Sequence, residues 1–115
     1  MSYDLYLWAD PNPVTAEQAR DIFERLAGGD DSATAPAAGP LEFAAELVKH
    51  FPRLEDLADA DDSPWNMSPD ATERGVILCM GLSRVAEAGP RIDELADRYG
   101  LVCYDPSTRQ VRHPA

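Results

Sequence analysis

The run GVILCMG at residues 75–81 constrains the fold most, because it is the most apolar run of the chain. A short apolar run of this length is typical of a strand with both faces at least partly covered. We therefore place it at the centre of a sheet. The chain has 115 residues and a hydrophobic content of 44%, which suits one ordinary core. The sequence predicts a single domain over residues 1–115.

Four further segments have strand character. SYDLYLW at residues 2–8 alternates with a period of two, so that Tyr6 and Trp8 fall on one face and the leucines on the other. SPWNMS at 63–68 predicts a short strand bounded by prolines. LVCYD and RQVRH flank a DPST turn and predict a C-terminal hairpin over residues 101–113.

Apolar residues at helical spacing predict three helices, at residues 15–29, 40–51 and 83–100. The first has the clearest start, because Thr15 and Gln18 form a capping-box pattern. Pro90 implies that the third helix is kinked or begins nearer residue 88. The segment 28–40 is rich in small residues, proline and glycine, and we interpret it as a flexible loop.

The order of these segments predicts an α+β fold. Without one helix and the last strand it is β-α-β-β-α-β, the ferredoxin-like split arrangement, with an antiparallel sheet and helices on one face. The complete prediction adds the extra helix and the C-terminal hairpin. Right-handed crossovers place the first strand between the third and the fourth. If the helices cover the leucine side of the first strand, Tyr6 and Trp8 face outward.

The charge and the cysteines narrow the classes of function. A net charge of −11 disfavours binding to nucleic acid and favours a basic partner. No apolar run is long enough for a membrane span, and the N-terminus lacks the basic flank of a signal peptide, so we expect a cytoplasmic protein without a membrane partner. Cys79 and Cys103 have no metal-ligand spacing and predict reduced, buried thiols, about 10 Å apart across the first strand.

The acidic segment, which we define as residues 55–73, contains no lysine or arginine. Asp59 and Asp61 begin a spacing that resembles an EF-hand loop, but Pro64 stands where that loop needs glycine. We therefore predict no metal and no cofactor. The alternatives are a solvated acidic loop leading into an edge strand and a loop that binds a partner.

One enzyme hypothesis begins at Ser83, which follows an apolar strand and opens a helix, as a hydrolase nucleophile does. Asp105 and His113 follow in the chain order of such a triad. Against it, Val85 replaces the second glycine of the motif, and a helix cap explains Ser83 equally well. A small ligand-binding pocket between the sheet and loop 28–40 is the other alternative.

The segments MSYDLYLW, DDSPW with GVILCM, and GLVCYDP resemble those of small bacterial proteins of similar length. The resemblance covers nearly the whole chain and implies a single cytoplasmic domain. It implies no activity and no catalytic residues.

The leading hypothesis is a non-enzymatic protein-binding module, of the immunity-protein type or self-associating through an open sheet face. Aromatic side chains would supply apolar contact and carboxylates would steer a basic partner. The partner-binding residues predicted from the sequence are Tyr6, Trp8, Trp65, Asp59, Asp61 and Asp62.

Overall fold

The computed structural model describes residues 2–115, with only the backbone described at Asp31 and Ala60. Five strands and three α-helices follow one another along the chain. They are β1 (Ser2–Ala9), α1 (Ala16–Ala27), α2 (Gly39–His50), β2 (Trp65–Thr72), β3 (Gly75–Gly81), α3 (Val85–Tyr99), β4 (Leu101–Asp105) and β5 (Gln110–Arg112). Short 3₁₀ turns lie at Asp31–Ala33, Leu54–Asp56, Ala60–Asp62 and Leu82–Arg84. The predicted α+β class is confirmed.

The five strands form one antiparallel sheet in the order β2-β3-β1-β4-β5. Leu5 of β1 lies opposite Leu78 of β3, and Leu7 of β1 lies opposite Cys103 of β4. The apolar run 75–81 is therefore an interior strand. The C-terminal hairpin is present as the β4–β5 pair.

Strand β2 is longer than the sequence pattern predicts. The prolines at 64 and 69 indicated a strand over 63–68, whereas β2 begins at Trp65 and continues through Pro69 to Thr72. The pairing with β3 shifts between Met67 and Asp70, where Pro69 lies. Because Pro69 has no N–H and lies at an irregular position of an edge strand, it removes no regular ladder hydrogen bond.

Local capping signals place the helix ends close to the predicted positions. Thr15 and Gln18 form the predicted capping box at the start of α1. Gly100 ends α3 in the left-handed conformation, with φ at 69°. A start of α3 near residue 88 is wrong, because the helix begins at Val85 and contains Pro90.

One face of the sheet packs against α2 and α3. This first face carries Leu5 and Leu7 of β1, whose neighbours on β3 and β4 point the same way. The largest buried members of its core are Leu5, Leu7, Phe43, Leu47, Trp65, Leu78, Met80, Ile92, Leu95 and Leu101. It is the larger of the two cores and includes buried residues of both α2 and α3.

The opposite face of the sheet is covered in part by α1, so the prediction of helices on one face only is wrong. Trp8, Val102 and Tyr104 form a second buried core with Ala19 of α1. Phe23 of α1 packs against it as a partly buried member. Both faces of β1 carry large apolar side chains, and burial of the second set contributes about 25 cal/mol per Å² of apolar area.

The segment 28–40 contacts the turn between β2 and β3. The Thr34 hydroxyl donates a hydrogen bond to the carbonyl oxygen of Arg74 at 2.8 Å, and the Ala37 N–H donates to that of Glu73 at 2.8 Å. Its predicted flexibility stays a prediction. Within residues 2–115, no helix is long and apolar enough to cross a membrane.

Candidate binding surfaces

The structure removes both tryptophans from the predicted binding surface. Trp8 has 0% of its surface exposed, and its indole N–H lies 3.3 Å from a carboxylate oxygen of Asp10. Trp65 is buried in the first core and donates to the carbonyl oxygen of Phe51 at 2.9 Å. The expectation that these aromatic rings face outward is therefore wrong, because α1 covers the first and α2 with its C-terminal residues covers the second.

Tyr6 is the one predicted aromatic residue that keeps part of its surface. Its ring packs edge-on against Phe23, with centroids 4.7 Å apart, and it is half-buried. Burial raises the pKa of Tyr6, and the nearby Asp4 and Cys79 raise it further. The tyrosine therefore lies at the margin of α1, where the covered part of the second face ends.

The β2–β3 patch, which we define as Met67, Ile77 and Cys79, is the part of the second face that α1 leaves open. Register places these side chains on the same face as Tyr6, because Met67 pairs with Cys79 and Ile77 pairs with Tyr6. Met67 is 46% exposed, and the other two are half-buried. Asp70 pairs with Ile77 and adds a carboxylate to the border of the patch.

Asp4 brings an unsatisfied carboxylate oxygen to the same area. It lies directly opposite Cys79, and its Oδ1 atom is buried without a hydrogen-bond partner among the described residues. Burial raises the pKa of Cys79, and a hydrogen bond to Asp4 raises it further. The thiol is therefore protonated at neutral pH and is not an activated nucleophile.

The acidic segment lies along the edge strand. The N–H of Leu54 donates to the Ser68 hydroxyl at 2.9 Å, and that hydroxyl donates to Glu55 at 2.7 Å. This hydrogen bond lowers the pKa of Glu55. The guanidinium of Arg53 donates to the carbonyl oxygen of Pro69 at 2.9 Å. These contacts cover part of the edge of β2, which limits pairing with another strand.

The predicted residues Asp59, Asp61 and Asp62 are exposed and immediately precede β2. Asp59 accepts a hydrogen bond from the N–H of Asp61 at 3.0 Å. The guanidinium of Arg84 donates to the carbonyl oxygens of Asp61 and Ser63 at 3.2 and 3.3 Å, not to their side chains. The structure thus keeps these three carboxylates together and open to solvent.

No carboxylate of the acidic segment forms an ion pair with another described residue. The residues concerned are Glu55, Asp56, Asp59, Asp61, Asp62, Asp70 and Glu73. The ion pairs between described residues lie elsewhere, and one of them joins Arg84 to Glu87. The neighbouring arginines Arg53 and Arg84 also donate to backbone carbonyl oxygens. The segment therefore presents seven carboxylates that form no ion pair with a described cation, although Arg53 and Arg84 act electrostatically on Glu55 and Asp62 from a longer distance.

The structure does not bring Ser83, Asp105 and His113 together. Ser83 follows the end of β3 that pairs with the start of β1. The ring of His113 instead contacts the carbonyl oxygen of Val14 at 2.8 Å, beyond the opposite end of β1. Asp105 accepts a hydrogen bond from the hydroxyl of Tyr3. The hydrolase hypothesis therefore has no assembled triad.

A cavity of about 330 Å³ lies where the end of β1 and the residues that follow it approach residues 35–37 of loop 28–40. Among its lining residues, Asp10 alone is ionisable, and it already accepts hydrogen bonds from Trp8 and Asn12. Converging polar groups are absent from this lining. The described part of the chain also contains no group of three or more histidine, cysteine or acidic residues placed to hold a metal.

A second concave site, which no sequence pattern indicated, lies between α3 and the C-terminal hairpin. Its cavity has a volume of about 330 Å³, and the polar residues that line it are Tyr3, Asp93, Asp105, Gln110 and Arg112. They come from both ends of the chain. No local sequence pattern connects them. The pairing of β1 with β4, the pairing of β4 with β5 and the position of α3 bring them together.

Comparison with protein-family models, with curated proteins and with solved structures finds no match for this chain. The resemblance to small bacterial proteins stays a prediction.

Proposed function

We propose that this protein is a binding module for a basic protein, which it engages through the acidic segment and the adjoining β2–β3 patch. The observation that carries the proposal is the set of seven carboxylates without an ion pair within residues 2–115. Like charges held this close repel one another, and a cationic surface relieves that repulsion. The carboxylates of the acidic segment would also accelerate the encounter with a basic partner by long-range attraction.

The β2–β3 patch supports the proposal because it adds apolar contact area beside the charges. Met67 belongs both to the patch and to the acidic segment, and Asp70 pairs with Ile77. An apolar centre with a charged rim is the usual composition of a protein interface. Tyr6 remains in the proposed surface through its exposed edge, whereas the two tryptophans do not.

A basic partner is a better occupant of this surface than a second copy of the chain. Each copy carries a net charge of −11, so two acidic segments brought together would repel. An immunity-type role, in which the acidic surface covers a basic toxin, belongs to the same class of function. The binding itself requires no catalytic residue.

The proposal is tested with two triple variants of equal charge. Asp59→Asn/Asp61→Asn/Asp62→Asn removes three carboxylates from the acidic segment. Glu17→Gln/Asp21→Asn/Glu42→Gln removes three exposed carboxylates outside it. Proteins captured from a native lysate at low salt are identified by mass spectrometry, and the binding of each purified candidate is measured by calorimetry.

We expect one basic protein that binds the wild type and the second variant equally and binds the first variant at least about tenfold more weakly. Equal weakening by both variants would mean that only the net charge matters. A partner of neutral or acidic charge, or no partner that calorimetry reproduces, would overturn the proposal.

We also propose that the fold is a variant of the ferredoxin-like arrangement. It is supported by the antiparallel neighbours β2-β3-β1-β4 and by the two helical crossovers of the chain. The chain departs from that arrangement through a second helix before β2 and through strand β5 at the edge. The position of α1 on the second face is a further departure.

A further inference from the structure

The cavity between α3 and the C-terminal hairpin lies on the first face of the sheet, away from the β2–β3 patch. Its apolar wall includes Leu5 and Met80 from the sheet and Val85 from α3. Its volume of about 330 Å³ lies at the lower end of the usual range for small-molecule sites. The shape and the apolar wall therefore suit a small organic molecule.

The hydrogen-bond donors of the polar lining are largely engaged within the protein. The guanidinium of Arg112 makes two hydrogen bonds to Asp97, at 2.8 and 2.7 Å, and its Nε lies 3.7 Å from Asp93. The hydroxyl of Tyr3 donates to Asp105. The donor groups of Arg112 and Tyr3 are therefore bound to carboxylates of the protein itself and are not available to a ligand.

The acceptors of the same lining retain capacity. Asp93 is 52% exposed at its side chain, and its contact with Arg112 is longer than a hydrogen bond. The oxygen of Tyr3 keeps lone pairs after its proton is donated. Three carboxylates and one guanidinium lie at or next to this lining. They belong to Asp93, Asp97, Asp105 and Arg112. A ligand that donates hydrogen bonds and carries positive charge therefore fits, and an anion does not.

We propose that this cavity binds a small organic ammonium ion with a short apolar chain. The ammonium group donates hydrogen bonds to Asp93 and Tyr3 beside the carboxylate of Asp105, and the chain packs against Val85 and Leu5. This site is separate from the proposed protein-binding surface and does not depend on it.

The pKa values of the lining agree with this arrangement. Burial raises the pKa of Asp105, but hydrogen bonds from Tyr3, Ser107 and Thr108 outweigh it and lower the net pKa. The carboxylate is therefore ionised at neutral pH. Burial raises the pKa of Cys103 to about 12, so this thiol contributes a neutral wall.

The test is a titration of the full-length protein with butylammonium chloride at neutral pH, followed by amide chemical shifts. Sodium butyrate is the probe of the same length and opposite charge. Asp93→Asn is the test variant, and Glu94→Gln is its control, because Glu94 is the next residue of α3, is exposed and does not line the cavity. Tyr3→Phe removes the second acceptor.

We expect saturable shifts at the amides around the cavity with butylammonium and none with butyrate. Asp93→Asn should weaken binding about tenfold, and Glu94→Gln should change it by less than about twofold. Tyr3→Phe should also weaken it. Absence of saturable shifts, equal binding of butyrate, or equal weakening by Asp93→Asn and Glu94→Gln would overturn the proposal.

Discussion

Phe23 of α1 packs edge-on against Tyr6 of β1, with ring centroids 4.7 Å apart and ring planes at 79°. The same ring lies 5.4 Å from Tyr104 of β4. Through these contacts α1 covers the β1–β4 half of the second face, Leu26 of α1 reaches the Gly75 end of β3, and Met67 of β2 stays exposed. The position of one aromatic side chain thus marks the part of the second face that belongs to the core.

We expect Phe23→Ala to lower the free energy of unfolding by about 2–3 kcal/mol, because it removes two aromatic contacts and part of the apolar cover of the second core. Asp21→Ala on the same helix is exposed and should change stability by less than about 0.5 kcal/mol. Urea denaturation of both variants measures the difference. Equal stability of the two variants would contradict the packing of α1 on this face.

Both tryptophans should be protected from acrylamide in the folded protein, because neither Trp8 nor Trp65 exposes more than 3% of its surface. Quenching of fluorescence should be weak in the native state and should rise on unfolding in urea. Trp65→Phe isolates the signal of Trp8. If Trp8 is quenched in the native state as strongly as in urea, its side chain is exposed, and the burial of Trp8 under α1 would be contradicted.

The hydrogen bond from Tyr3 to Asp105 should appear in the pH dependence of stability. The pKa of Asp105 is lowered in the folded state, so its contribution is present above the pKa of the unfolded chain and is lost as the pH falls through the folded pKa. Tyr3→Phe should raise the pKa of Asp105 and should cost about 1 kcal/mol at neutral pH, allowing for solvent screening.

The measurement for this pair is the titration of the Asp105 carboxyl carbon by NMR, with urea denaturation at several pH values. The cost of Tyr3→Phe should shrink in acid, where Asp105 is protonated in both proteins. Asp105→Asn is the control. In that variant, the cost of Tyr3→Phe in free energy of unfolding should no longer depend on pH in this range. An unchanged pKa of Asp105 in Tyr3→Phe would show that the hydrogen bond does not form.

The two cysteines should react with a thiol reagent at very different rates. Cys79 is half-buried on the open part of the second face, whereas Cys103 is buried in the first core and has a pKa raised to about 12. Native protein should therefore take up one alkyl group slowly, at Cys79, and the second only after unfolding. Cys79→Ser should leave the native protein unlabelled.

No disulfide should join these cysteines under oxidising conditions. Both thiols are free, and they lie on opposite faces of the sheet with β1 between them. Non-reducing mass spectrometry of the oxidised monomer provides the measurement. An intramolecular bond would require a different register of β1.

The local features of the fold could be predicted because the residues that cause them are close in the chain. Thr15 and Gln18 are three residues apart and cap α1 with their own side chains and backbone groups. Gly100 ends α3 through its own left-handed conformation. The alternation of residues 2–8 correctly separates Leu5 and Leu7 from Tyr6 and Trp8, because successive side chains of a strand point to opposite faces.

The candidate sites could be predicted only where they are contiguous. The acidic segment is visible in the sequence, and the structure keeps its carboxylates exposed along β2. The cavity of Tyr3, Asp93, Asp105 and Arg112 was missed, because Tyr3 is separated from the other three by most of the chain and they lie on different elements that only the tertiary structure brings together. The length of β2 was also missed, since the tolerance of Pro69 depends on its position at the irregular edge of the sheet.

The sequence by itself determined the capped start of α1, the glycine that ends α3, which side chains of β1 share a face, and where the negative charge is concentrated. Only the tertiary structure decided which helix covers which face. Periodicity separates two faces of a strand, but both faces of β1 are apolar enough to form a core. The choice between them depends on the free energy of packing α1 against Trp8 and Tyr104, which are distant from each other in the chain and lie on the same face of neighbouring strands.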